Sequence, residues 1–226
     1  MWRDLVAGLV DLVFPPICAQ CQRGTDGAAL CAACDPAACG GGPGAALPDV
    51  PAPAPLASWT AAVAYEGAAR DWIRRFKYPR PGLAALDPAA NAVARDWIRR
   101  AASRAPGPAP DLVVPVPLHA ARLRARGFNQ AAVLARDAAR AAGARADAAG
   151  LVRLRATPPQ AGLGRAARRR NVAGVFAARR AMPPRVWLVD DIATTGATLA
   201  SAARTVRRAG AREVHGLTLA WRPLIR

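Results

Sequence analysis

The segment VWLVDDIATTGATL, residues 186–199, places two adjacent carboxylates, Asp190 and Asp191, between an apolar run and a turn of small and hydroxyl residues. A short apolar run with β-branched residues, ended by turn signals, predicts a fully buried strand. Residues 197–209 are helix formers stopped by Gly210, so the order is strand, loop, helix, with the acidic pair at the strand's carboxyl end. Amide N–H groups in such a turn and at a helix start point outward and can cradle a phosphate. The hydroxyls of Thr194, Thr195 and Thr198 add donors, and Gly196 lets the backbone come close to a ligand. Like charge keeps the carboxylates off that phosphate; they suit a sugar diol or a magnesium ion beside it. The local chemistry is that of a ribose 5-phosphate site. A P-loop would need Gly-Lys-Ser/Thr, which is absent. A receiver domain would want a lysine at the end of another strand, and the chain's single lysine, Lys77, lies far upstream. A buried strand with an Asp helix cap is the purely structural alternative.

The second chemical pattern is Cys18, Cys21, Cys31 and Cys34, a C-x2-C-x9-C-x2-C spacing. Tetrahedral zinc takes four thiolates from two tight turns, and this spacing supplies them with room for a hairpin between. A disulfide framework is the alternative; it needs an oxidising compartment, and no secretory signal is visible. A cytoplasmic protein with a structural zinc is therefore expected. Cys39 is a fifth, unmatched thiol, a spare ligand or a bystander.

Other elements must position these residues. Trp2, Leu5, Val6, Leu9, Val10, Leu12 and Val13 recur at helical spacing before Pro15-Pro16. They predict an amphipathic helix over 1–16, too short and too charged to span a bilayer. The cysteine module occupies 17–39, and a Gly/Pro/Ala linker 40–57 leads to a main domain over 58–226. There, strands are expected over 58–65, 111–116, 151–154 and 213–220, besides the acidic one. Helices are expected over 68–77, 87–102 and about 129–142, besides the one after the acidic loop. In the first of these, Trp72, Ile73 and Phe76 form the buried face and Arg74, Arg75 and Lys77 the exposed one. Such alternation predicts a mostly parallel sheet with helices on both faces and the ligand at the strands' carboxyl ends. The formal net charge of +17 invites polyanions. It is nearly all arginine in an Ala/Gly/Pro-rich background, and aromatics are 5%, so no interleaved stacking platform for single strands stands out.

The acidic segment resembles the phosphoribosyl pyrophosphate (PRPP) motif of type I phosphoribosyltransferases. That resemblance makes Asp190 and Asp191 ligands of the ribose 2′- and 3′-hydroxyls, and Ala193, Thr194, Thr195, Gly196, Ala197 and Thr198 the 5-phosphate loop. Three further stretches, YEGAARDWIRRFKY (65–78), VVPVPLHAARLRARGFNQ (113–130) and LRATPPQAGLGRAARRRNVAGVF (154–176), join the motif and the cysteines. Together they resemble the ComF family, associated with DNA uptake in competent bacteria. The resemblance implies a type I phosphoribosyltransferase fold with an N-terminal zinc ribbon, binding PRPP with magnesium. It also implies single-stranded DNA and a helicase-like competence protein as partners.

By the same resemblance, the loop after the VPVP strand faces pyrophosphate, making His119, Arg122 and Arg126 candidates for anion contact; arginine forks suit diphosphate oxygens. Asn129 and Gln130 become site candidates, although an Asn cap alone explains the first. The loop with Thr157, Gln160, Arg168 and Asn171 corresponds to the family's lid over PRPP. An enzyme of this kind displaces pyrophosphate from C1 of PRPP, with Asp190, Asp191, Arg122 and Arg126 serving the reaction. No base pocket is identifiable, so transfer to an acceptor and a purely ligand-binding adaptor both remain open.

Overall fold

The fold is built around a strand that is apolar on both sides. In the computed structural model, which describes residues 16–35, 52–78, 87–157 and 170–222, the sequence from Arg185 to Ala193 forms β6 of a five-stranded sheet. The strands are β1 (Ser58–Ala64), β2 (Leu112–Pro115), β3 (Arg145–Ala146), β6 and β7 (Glu213–Trp221), in spatial order β1-β7-β6-β2-β3. All pairings are parallel. β4 (Leu151–Arg153) and β5 (Phe176–Ala178) form a separate antiparallel pair. The helices are α1 (Gly67–Lys77), α2 (Pro88–Arg104), α3 (Ala120–Arg126), α4 (Gln130–Ala141) and α5 (Ala197–Arg208). A mostly parallel sheet flanked by helices is thus what the chain forms.

Two cores lie on the sheet's two faces. Trp187 and Val189 of β6, Val113 of β2, and Leu217 and Leu219 of β7 pack against Trp72, Ile73 and Phe76 of α1, Val93 and Trp97 of α2, and Leu134 of α4. Val186 and Leu188, Leu112 and Val114, and Val214 pack on the opposite face against Leu199 and Val206 of α5 and against Leu151 and Phe176 of the β4–β5 pair. Successive strand residues point to opposite faces, so a strand covered on both sides must be apolar at every position.

Local signals fix the helix starts. Asp87 caps α2, its carboxylate accepting the Ala90 amide at 3.0 Å, with Pro88 in the first turn. Asn129 caps α4 by accepting the Ala131 amide at 3.1 Å, while Gly127 ends α3 in the left-handed region at φ 77°. His119 caps α3 through the Ala121 amide at 3.3 Å. α3, β3 and β5 go beyond the elements expected from sequence. α3 buries none of its residues, so no apolar stripe announces it, and β3 and β5 span two and three residues. The last part of the Gly/Pro/Ala stretch is packed: Leu56 is buried, and the Ala57 amide donates to the Val214 carbonyl. The N-terminal helix expected over 1–16, but for its last residue Pro16, and Cys39 lie outside the described residues. Among the described residues no helix is long and apolar enough to cross a membrane.

One buried ion pair ties two helices of the first core. Arg95 of α2 holds Asp137 of α4 through Nε at 2.7 Å and Nη2 at 3.1 Å, and Asp137 is 2% exposed. Replacing Asp137 with Ala removes both charge-assisted hydrogen bonds from Arg95, whose side chain is 37% exposed, and should cost about 2 kcal/mol. Urea unfolding should show a lowered midpoint with an unchanged slope.

Candidate functional site

β6 does not stop before the carboxylates: it runs on to Ala193, so both Asp190 and Asp191 lie within the strand. The alternation between cores slips at this pair. Val189 packs on the first face, and strict alternation would return residues 191 and 193 to it; instead Ile192, one residue out of phase, joins that face while Ala193 joins the other. Each carboxylate accepts the next amide, Asp190 from Asp191 at 2.8 Å and Asp191 from Ile192. The acidic pair therefore marks the break in alternation, ahead of the strand's end at Ala193.

The two carboxylates have different surroundings. Asp191 meets Lys77, whose Nζ lies 2.8 Å from its Oδ2. Lys77 ends α1 and its side chain is 15% exposed, so it belongs to the site and not to the exposed face that its helical phase suggested. Its distance along the chain was no guide, because α1 carries its last turn back to the carboxyl end of β6. Among the described residues Asp190 has no such neighbour. Burial foremost, then the charge of Asp191, push its carboxyl up to about 7, against the opposing pull of the Asp191 amide, Lys77 and Arg153.

The loop after the strand is held from behind. The Trp221 indole donates to the Thr194 carbonyl at 3.1 Å, and the Arg222 amide to the Ala193 carbonyl at 2.9 Å. Gly196 is the N-cap of α5 at φ 68°, with no side-chain cap. A Cβ there would lie 2.6 Å from Pro53 Cγ and 3.3 Å from Trp59 Cζ3. The glycine is thus required by its backbone conformation and by the segment packed against it. α5 opens with no acidic residue in its first turn, and Ala197 is buried. Among the described residues Thr195 Oγ1 is buried without a hydrogen-bond partner, while Thr194 and Thr198 are half-buried beside it.

The expected basic residues separate. Arg126 stacks on Tyr78 at 5.3 Å, donates to its hydroxyl at 3.2 Å and reaches Gln130 Oε1 at 3.4 Å. Gln130, 1% exposed, donates in turn to the Lys77 carbonyl at 3.4 Å, so it braces α1 against α4. Arg122 is exposed on α3, and its charge acts on Arg153 of β4. Asn129 is occupied as a cap and also donates to the Val116 carbonyl at 3.1 Å. Thr157 accepts from Arg153, and Asn171 is half-buried. Gln160 and Arg168 lie outside the described residues. The sequence reading missed Lys77 and Arg153 as site residues. The one signal for Lys77 was its being the chain's single lysine among many arginines.

The four cysteines converge. Their sulfurs all lie within 4.8 Å of one another, and Cys21 and Cys31 are 3.6 Å apart. A tetrahedron with metal–sulfur bonds of about 2.3 Å has edges of about 3.8 Å, so the cluster can hold a metal ion. The first knuckle is a tight turn in which the Gln22 amide donates to Cys18 O at 2.9 Å and the Cys18 amide to Arg23 O at 2.8 Å. The second places the Cys34 and Asp35 amides on Cys31 O, each at 2.9 Å. The Arg23 guanidinium, hydrogen-bonded to Cys21, lowers that thiol to about 6, whereas the sulfur of Cys21 and burial push Cys34 up to about 12. Four crowded sulfurs cannot all ionise unaided, which suits a soft divalent cation. Asp35, 2% exposed, accepts from Trp97 Nε1 at 2.9 Å and Arg100 Nη2 at 2.6 Å, docking the knuckles on α2.

No protein-family model matches the chain. It is similar to the DNA utilization protein YhgH of Salmonella typhi, 38% identical over 110 residues covering 47% of this chain and 48% of that one. It is 37% identical to the Escherichia coli O157:H7 protein of the same name over 106 residues, 46% and 47% of the two chains. Competence protein F of Haemophilus influenzae is 34% identical over 109 residues, 46% and 48% of the two. The aligned part spans about half the length of these relatives. Among solved structures, an allosteric regulatory enzyme of purine biosynthesis superposes with TM-score 0.43 at 23% identity over 67% of this chain and 30% of that one. The glutamine PRPP amidotransferase of B. subtilis superposes with TM-score 0.42 at 23% identity, with the same shares covered.

A carboxyl raised from near 4 to about 7 binds its proton more tightly in the folded chain than in the unfolded one. Stability therefore falls as pH rises through that window, and the loss is complete above it. Asp190→Asn should melt roughly 5 °C above the wild type at pH 8. The difference should vanish below about pH 4, where both states are protonated. Calorimetric scans across pH check it.

Proposed function

We propose that this chain is a ComF-family, phosphoribosyltransferase-like protein that binds PRPP, with magnesium carried on the diphosphate. One observation carries the reading: a carboxylate pair near the end of a central parallel strand leads into a side-chain-uncapped helix N-terminus where a buried threonine hydroxyl, Thr195 Oγ1, lacks a partner among the described residues. A phosphate seated on the loop would take up that hydroxyl and the first-turn amides. Asp190 and Asp191 then lie beside it, where carboxylates accept the ribose 2′- and 3′-hydroxyls. Ala193, Gly196 and Ala197 contribute backbone and no bulk.

The protein's role, in this reading, is to assist the handling of single-stranded DNA during uptake in natural competence, in the cytoplasm and beside a helicase-like partner. The names of the relatives, DNA utilization protein and competence protein, support it, as does the net charge of +17. Cys18, Cys21, Cys31 and Cys34 are the ligands of a structural zinc, and the module over 17–39 precedes a phosphoribosyltransferase-like domain over 58–226. Zinc there is a folding element, because the cluster and the helices share one core.

Titration calorimetry with magnesium should show PRPP binding that the double substitution Asp190→Ala/Asp191→Ala weakens at least about thirtyfold. Single-strand binding by the same variant should persist and fall steeply with salt. Pyrophosphate released only when an acceptor is supplied would make the protein a transferase; binding without release would make it a ligand-gated adaptor. Absence of PRPP binding by the wild type sinks the proposal. For the metal, one zinc per chain is expected, and cobalt substitution should give thiolate-to-metal absorption in the near ultraviolet that Cys31→Ser reduces.

A further inference from the structure

Lys77 holds its carboxylate differently from the way this chain holds its others. Where a carboxylate docks one element on another, the cation is an arginine: Arg75 on Asp87, Arg95 on Asp137, Arg100 on Asp35 and Arg185 on Asp111, at 2.9, 2.7, 2.6 and 2.6 Å. Arg95 and Arg185 grip both oxygens of their partner. At the acidic pair the chain places its single lysine instead. Lys77 Nζ lies 2.8 Å from Asp191 Oδ2, the two side chains 15% and 16% exposed. The other oxygen, Oδ1, accepts the Ile192 amide. The backbone of Lys77 is fixed at the same time. Its carbonyl accepts from the buried Gln130 Nε2 at 3.4 Å, and the Tyr78 amide closes the last turn of α1 on Arg74 O at 2.9 Å.

Two carboxylates on neighbouring residues offer a divalent cation what it needs, oxygen ligands with concentrated charge. The same oxygens can accept from sugar hydroxyls only while such a cation stays away. A tethered ammonium settles that competition. It already sits on Asp191 Oδ2 and cancels one of the two negative charges that would draw a metal. Being a compact point charge with three donors, it can hold one oxygen and keep N–H groups free to meet a hydroxyl, whereas a guanidinium fork would close over both oxygens. Pinning the end of α1 would explain an ion pair here, but arginine does that work in the four pairs above. We infer that Lys77 sets the specificity of the acidic pair: seated on Asp191, it denies the carboxylates to divalent metal and reserves them for sugar hydroxyls. Magnesium then reaches the site only on the phosphates of the ligand. The inference rests on the PRPP reading for the identity of the ligand, but not for the exclusion of metal.

Manganese titrated into the full chain and followed by electron paramagnetic resonance tests the exclusion without any sugar. The wild type should bind no manganese that Asp191→Asn removes. Lys77→Met leaves the pair without its cation and should acquire one manganese site with a Kd of about 1 mM or tighter. Adding Asp191→Asn to that variant should weaken the new site at least about tenfold. Lys77→Arg keeps a cation on Asp191 and should stay without the site; Lys77→Gln is the second neutral variant should the methionine one not fold. Ribose 5-phosphate should bind the wild type equally with and without magnesium. In Lys77→Met, manganese at about twice its Kd should weaken that binding about threefold by competition. A wild-type manganese site lost in Asp191→Asn, or a folded neutral variant that gains none, overturns the inference and leaves Lys77 as a pin for α1. Ribose 5-phosphate failing to bind the wild type while the manganese results hold sinks the PRPP reading and supports the exclusion of metal alone.

Discussion

Two negative charges at the end of a strand buried on both faces are the constraint around which the molecule is arranged. β6 can lie between two apolar layers only while its side chains are apolar, and Asp190 and Asp191 end that condition. Lys77 closes α1 onto Asp191 from the first layer, whereas among the described residues no cation comes within ion-pair distance of Asp190. The asymmetry follows from distance. A contact at 2.8 Å compensates Asp191, whereas Asp190 keeps much of its burial cost and holds its proton far above the usual carboxylate range. A strand end that holds one carboxyl toward its neutral form is suited to hydroxyl partners, which exchange hydrogen bonds without adding charge.

Much of this was legible from residue types alone, because the signals were local. The Asp87-Pro88 pair announces a capped helix, Gly127 and Asn129 announce a turn and another cap, and the apolar strands announce a sheet covered on both faces. The acidic pair and its threonine loop were recognisable because every one of their residues is contiguous. What escaped was either non-local or too short to have a period. Lys77 and Arg153 enter the site through the path of the backbone, which no window of sequence encodes. α3 has no buried face, and β3 pairs over two residues. Gly196, expected to let a ligand approach, carries a second requirement that its sequence neighbours do not announce: its bare Cα accommodates Pro53 and Trp59.

The cysteine knuckles are not an independent appendage. Cys18 and Leu30 belong to the same cluster as Phe76, Trp97 and Ile98, and Asp35 receives hydrogen bonds from Trp97 and Arg100 across that junction. Arg100 also reaches Asp96 at 3.0 Å, so the docking charge is embedded in a small network on α2. Since α2 packs with α1 in that cluster, and α1 presents Lys77, order among the sulfurs and order at the acidic pair are mechanically continuous through two helices.

The seat of Pro53 behind Gly196 bears on how this chain can be dissected. A fragment begun at Ser58, where the sheet starts, would retain every strand of the main body and every residue of the acidic loop. It would nevertheless leave a hollow under the glycine, expose part of the Trp59 ring and remove the wall against which the α5 entrance is set. A piece that keeps the α5 entrance as it stands therefore begins ahead of Pro53. Fusions, tags or protease sites belong upstream of that point, because a cut a few residues later alters the shape of a loop more than a hundred positions away.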